Sequence, residues 1–116
     1  MKRLGVVLAL VGVGLVLLSA LLPGPAVSGE GPEAASYGRA LFQAKGCTAC
    51  HLHREVSPGA GVGIGPELTE AVFDPAYLRS WLRDPASIRP GTRMPNLGLS
   101  ETEIEALIAF INYEAE

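Results

Sequence analysis

Bulky core fillers are scarce in this chain. Its 116 residues include three phenylalanines, three tyrosines and one tryptophan, 6% aromatics in all, beside 14 glycines and 9 prolines. That balance predicts long loops and few large core side chains, a deficit that a large apolar ligand would fill. No stretch alternates apolar and polar residues with period two, so a half-buried sheet is excluded and an all-α fold is expected. No internal repeat is present. Positive charge is short as well: nine Lys and Arg less Lys2 and Arg3 leave seven against twelve Asp and Glu, a formal charge of −5 beyond the N-terminal segment. With no basic stripe to displace phosphate counterions, a nucleic-acid partner is excluded. No constellation of catalytic acid, base and nucleophile appears, and the chain is not expected to be an enzyme.

The long apolar run at the start is a targeting segment. After Met1-Lys2-Arg3, the 19 residues from Leu4 to Leu22 carry no ionisable side chain, and "PGPAVSGEGPE" then breaks any helix. At about 1.5 Å per residue such a run spans roughly 28 Å, close to a bilayer's hydrocarbon thickness. Its length favours an uncleaved anchor, whereas "AVS" at Ala26 to Ser28 offers a small-residue cleavage site. Either outcome leaves Lys2 and Arg3 on the cytoplasmic side and exports the rest. The expected organisation is a membrane anchor or signal segment over residues 1–23, a flexible linker over 24–32 and one small domain over 33–116. A domain of that size barely outweighs its chain entropy, so a cofactor, metal or disulfide commonly reinforces it.

Three helices are expected in the exported part. Tyr37, Ala40, Leu41 and Ala44 recur at helical spacing between Pro32 and Gly46. "DPAYLRSWLR" from Asp74 offers an aspartate cap, a proline in the first turn and an apolar face of Leu78, Trp81 and Leu82, and Asp84-Pro85 ends it. "SETEIEALIAFINYE" opens with a Ser-x-x-Glu capping box at Ser100 and Glu103 and stripes Ile104, Leu107, Ile108 and Ile111 along one face. "SPGAGVGIGP", from Ser57 to Pro66, reads as a glycine-rich loop.

Both cysteines and both histidines fall between positions 47 and 53, in "KGCTACHLHR". Two cysteines three apart with histidine next, "CTACH" from Cys47 to His51, form the attachment pattern of c-type haem: two thiols capture the vinyl groups and the adjacent imidazole meets the iron. The rival readings are weaker. A structural zinc needs four ligands, and Cys47, Cys50, His51 and His53 are too crowded for one tetrahedron. A thioredoxin-like pair wants a βαβ setting that is missing. A plain disulfide stays open. For a sixth iron ligand, Met94 is the one sulfur donor beyond Met1, unless it serves as a core gap filler. His53 sits about 200° round a helix from His51, so both imidazoles cannot reach opposite faces of one iron, and His53 is expected to be a solvated surface residue.

Together, "GRALFQAKGCTACH", "GIGPELT", "YLRSWLRDPASIRPGTRMPNLGL" and "EIEALIAFI" resemble the class I cytochromes c. The likeness is greatest to the monohaem type that serves, or is fused to, bacterial haem–copper oxidases. The resemblance implies one covalent haem c held by thioether bonds at Cys47 and Cys50, with iron ligated by His51 and Met94. It implies that Pro66 offers its carbonyl to the His51 imidazole, where the alternative is a simple turn proline. It implies a propionate contact from Thr92, otherwise an ordinary loop threonine. Gly38 and Phe42 of the first helix would cross Leu107 and Phe110 of the last. Trp81 would pack against the haem, and Phe73 stands where relatives often place an indole donor. Arg79, Arg83, Arg89 and Arg93 are candidates for the propionates or for plain solvation. The implied role is one-electron carriage in a respiratory chain at the outer face of a membrane, passing electrons towards a terminal oxidase. The alternative is the haem c subunit of a larger oxidoreductase such as a dehydrogenase. Redox proteins and the membrane are the implied partners.

Overall fold

The computed structural model describes residues 30–56 and 63–113. The chain there is helical, with no strand: α1 spans Pro32–Ala44, a 3₁₀ turn covers Cys47–Ala49, and α2, α3 and α4 span Pro75–Arg83, Pro85–Ile88 and Glu101–Tyr113. The expected apolar run Leu4–Leu22, most of the linker, and residues 57–62 of the glycine-rich loop lie outside the described residues. No helix among the described residues is long and apolar enough to cross a membrane.

Local chemistry sets each boundary. Pro32 opens α1, where its missing N–H is no loss. At the other end the Lys45 and Gly46 N–H groups donate back to Leu41 and Gln43 at 2.8 and 3.1 Å. Gly46 then takes φ 78, a left-handed conformation that a side chain resists, and swings the chain into the cysteine turn. Asp74 caps α2 by accepting the Tyr77 N–H on Oδ1 at 2.8 Å. Extended backbone at Asp84 ends α2, and Pro85 restarts the chain as the four-residue α3, which the sequence pattern did not separate. The Ser100 box closes reciprocally. Its N–H reaches Glu103 Oε2 at 2.9 Å, and the Glu103 N–H reaches Ser100 Oγ at 3.3 Å.

Helices α1 and α4 cross at the expected residues. A Cβ on Gly38 would lie 1.9 Å from the Ala106 carbonyl oxygen and 2.8 Å from Phe110 Cβ, so the crossing depends on a bare backbone there. Phe42 meets Phe110 edge-on, with ring centroids 5.5 Å apart. Leu41, Ile104, Leu107 and Ile111 extend this core, and α2 adds Leu78 and Leu82. Gly38→Ala is therefore expected to lower stability by about 3 kcal/mol or more, because backbone cannot yield as a side-chain tip does. The denaturant midpoint of the holoprotein measures it, and a loss below about 1 kcal/mol would contradict the close crossing.

Ion pairs fix how the other elements sit on α4. Lys45 Nζ reaches Glu103 at 2.8 Å, Arg83 grips Glu101 in a two-pronged contact at 2.9 and 2.6 Å, and Arg79 grips Glu105 in the same way. Hydrogen bonds from Arg83, Lys45 and Arg79 hold the carboxyls of Glu101, Glu103 and Glu105 below their ordinary range. Pairs this exposed add little stability, and their effect is on orientation.

Candidate functional site

The site begins with the 3₁₀ turn. The carbonyl of Cys47 accepts from the N–H groups of both Cys50 and His51, at 3.1 and 2.9 Å, which closes the turn tightly enough that Cys47, Cys50 and His51 line one cavity. No disulfide joins the two cysteines. Burial pushes the Cys47 thiol above its ordinary range. Among the described residues no three His, Cys, Asp or Glu side chains converge to hold a metal ion.

A second segment runs beside the turn and braces the imidazole. Gly65 N–H donates to the Cys50 carbonyl, and Leu68 N–H to the Leu52 carbonyl, both at 2.9 Å. Between those two bonds, Pro66 O lies 2.9 Å from His51 Nδ1. A carbonyl can only accept, so the proton sits on Nδ1 and Nε2 keeps its lone pair for a metal. Gly65 packs closely against the ring. A Cβ there would meet His51 Cε1 at 2.5 Å, a spatial demand that no local pattern in "GIGP" reveals.

The cavity measures about 590 Å³, within the range of cofactor sites. Apolar side chains from every side line it: Leu68 beside the turn, Leu78 and Leu82 of α2, Leu107 and Ile111 of α4. Met94 and Trp81 line it too, and the Trp81 indole N–H donates to Met94 Sδ at 3.0 Å. The sequence suggested only packing for Trp81. Thr92 lies on the wall with its hydroxyl accepting the Met94 N–H at 3.2 Å, and its own proton remains available to an acceptor. Phe73 stands on the wall as well, its backbone held by Asn112.

The four arginines divide. Arg79 and Arg83 are committed to Glu105 and Glu101, whereas Arg89 and Arg93 line the cavity, on whose wall no Asp or Glu stands among the described residues. An acidic chain with a cationic cavity rim suits a ligand carrying carboxylates.

His53 departs from expectation. Instead of lying in solvent it is 1% exposed, packed against Phe110 and Phe42 with ring centroids 4.4 and 5.8 Å apart. Its Nδ1 accepts the Glu55 N–H at 3.3 Å. The helical geometry that argued against iron ligation said nothing about burial, which the α1–α4 crossing decides. His53 has no place on the cavity wall.

A family model described as cytochrome c oxidase, cbb3-type, subunit III, matches residues 33–111, a span that takes in the turn, the cavity and Met94. The chain belongs to this family. It is a c-type cytochrome related to oxidases, its cofactor is covalent haem c, and electron transfer is its chemistry. The cytochrome is also 34% identical over 88 residues to cytochrome c oxidase subunit 2 of Alkalihalophilus pseudofirmus, a match covering 66% of this chain and 25% of that one. It thus spans about a quarter of the length of that curated relative. No solved structure matches. The residues present fit the haem: two cysteines and an imidazole on one turn, an apolar cavity of suitable volume, and two arginines on its wall.

Proposed function

We propose that this cytochrome is a one-electron carrier of a respiratory chain. Cys47 and Cys50 would hold the haem through thioether bonds, and His51 and Met94 would ligate its iron. The observation that carries this reading is the placement of the His51 imidazole, with Nδ1 held by Pro66, and the Met94 sulfur on one apolar cavity. Haem supplies an iron that cycles between two oxidation states, and the protein sets its potential and access. Each residue then has a defined task. Pro66 fixes the imidazole tautomer, Leu68, Leu78 and Leu82 would keep water off the ring, and Thr92, Arg89 and Arg93 would hold the propionates. The cytochrome passes electrons onward and turns over no substrate of its own. The Leu4–Leu22 run holds it to the extracytoplasmic face of a membrane, where the acceptor is a terminal oxidase.

Reduced holoprotein mixed with oxidase-containing membranes is expected to be reoxidised with matching oxygen uptake, and cyanide should stop both. Spectroscopy at the haem bands and an oxygen electrode follow the two quantities. Reoxidation no faster than in buffer, with electrons passing instead from a co-purifying dehydrogenase, would replace the oxidase as partner. Native protein should sediment with membranes and resist salt extraction.

A further inference from the structure

We infer that Asn112, near the end of α4, is a positioning residue for Phe73, holding that side chain on the cavity wall so that it keeps water from one side of the haem. The inference rests on haem occupying the cavity. Asn112 Oδ1 accepts the Phe73 N–H at 3.1 Å, and Asn112 Nδ2 donates to the Phe73 carbonyl at 3.0 Å. An N–H can only donate and a carbonyl only accept, so the pairing fixes which way round the amide sits. Both polar ends of one side chain are thus spent on a single residue 39 positions away.

The sequence of α4 marks the place. Ile104, Ile108 and Ile111 are buried, and Asn112 follows Ile108 by four residues, where an apolar stripe would continue with an aliphatic side chain. A half-buried amide at that position costs stability unless it is paired, and Phe73 supplies both partners.

Phe73 in turn needs a support from outside its own segment. It lies in no helix, between Ala71, whose N–H has only a long bond of 3.4 Å to the Leu68 carbonyl, and Asp74, the cap of α2. No helical period decides which side chain of this stretch faces inward. Val72 is 67% exposed, whereas its neighbour Phe73 stands on the cavity wall and packs against the core. A slip of one position would turn Val72 inward and break both bonds to Asn112. Phe73 also directly precedes the Asp74 cap, the position from which an apolar side chain reaches the fourth helical residue, here Leu78, another wall residue. The clamp therefore sets Phe73 and Leu78 relative to Leu107 and Ile111 of α4, which line the same cavity.

The consequence is electrostatic. Oxidised haem iron carries one more positive charge than reduced iron, and water stabilises that charge better than an aromatic wall does. Loosening Phe73 admits water and moves the equilibrium towards the oxidised state.

The test compares full-length holoproteins of wild type, Asn112→Leu, Phe73→Ala and the double variant, reading the ratio of reduced to oxidised protein against a fixed redox mediator and the thermal midpoint. Asn112→Leu nearly keeps the size and removes both bonds, and its ratio should fall about threefold, or ~28 mV for one electron. Asn112→Ala removes the same bonds without bulk and carries the test if the leucine variant does not fold. In the Phe73→Ala background the Asn112 substitution should shift the potential less than half as far, because Asn112 acts through that ring. A fall of less than about twofold, under ~18 mV, beside a lowered thermal midpoint would show that Asn112 only ties α4 to the chain before α2. A shift more than half as large in the Phe73→Ala background would equally overturn the inference. Wild type without covalent haem would overturn the proposed function and this inference with it, whereas an unmoved ratio with haem attached overturns this inference alone.

Discussion

Replacing both Cys47 and Cys50 by serine is expected to leave a chain that neither keeps haem nor folds cooperatively. The physical reason is volume. Leu68, Leu78, Leu82, Leu107 and Ile111 belong at once to the hydrophobic core and to the wall of a cavity of about 590 Å³. Core holes cost about 24 cal/mol per Å³, which for this volume is on the order of 14 kcal/mol. That is an upper bound because water enters an open cavity, yet whole domains have only about 5–15 kcal/mol of stability. Haem therefore decides whether this small core is stable at all. Acid–acetone extraction should remove all haem from the double variant and none from wild type, and circular dichroism of the double variant should lack a cooperative thermal transition. A single Cys→Ser change retains one thioether bond and should give reduced yield of a folded product. A double variant that melts cooperatively without haem would show that α1 and α4 form a sufficient core alone.

What could be read from the sequence was short-range. Pro32, Gly46, the Asp74-Pro75 pair and the Ser100–Glu103 box act within one helical turn, and each marks a boundary found in the structure. The Cys47–His51 pattern is equally local, because the mechanics of two thioether bonds and an adjacent imidazole leave little choice of spacing. The α1–α4 crossing came from family resemblance, and the Gly38–Ala106 approach supplies its cause.

Other features depend on packing that no periodicity encodes. His53 is buried because α1 and α4 bring Phe42 and Phe110 to it. Four similar arginines separate into two committed to α4 and two at the cavity because Arg79 and Arg83 stand on α2, which lies against α4, while Arg89 and Arg93 follow α3 onto the cavity wall. A four-residue α3 offers too little chain to show a period. The Trp81–Met94 bond depends in turn on α3, so the sequence showed an apolar helical face and hid the polar atom on it.

Met94→Ala is expected to change the iron's chemistry more than the fold. Met94 is half-buried at the edge of the core, so its truncation should cost about 2 kcal/mol, at the low end for core methionine. Loss of the thioether should abolish the near-red ferric band, since no other described sulfur apart from the two cysteines exists to replace it. A soft sulfur donor favours the reduced state, so the redox equilibrium should move towards oxidised protein by tenfold or more, at ~59 mV per tenfold. The vacated position should bind carbon monoxide when reduced and cyanide when oxidised. His53→Ala is the contrasting variant: its ring lies among Phe42 and Phe110 and away from the cavity, so it should lose about 3 kcal/mol of stability while keeping the band. Potentiometry, ligand titration and thermal melts on the two holoproteins separate these effects. A Met94 variant with unchanged potential and no new ligand affinity would remove Met94 from the iron and return it to the role of core filler.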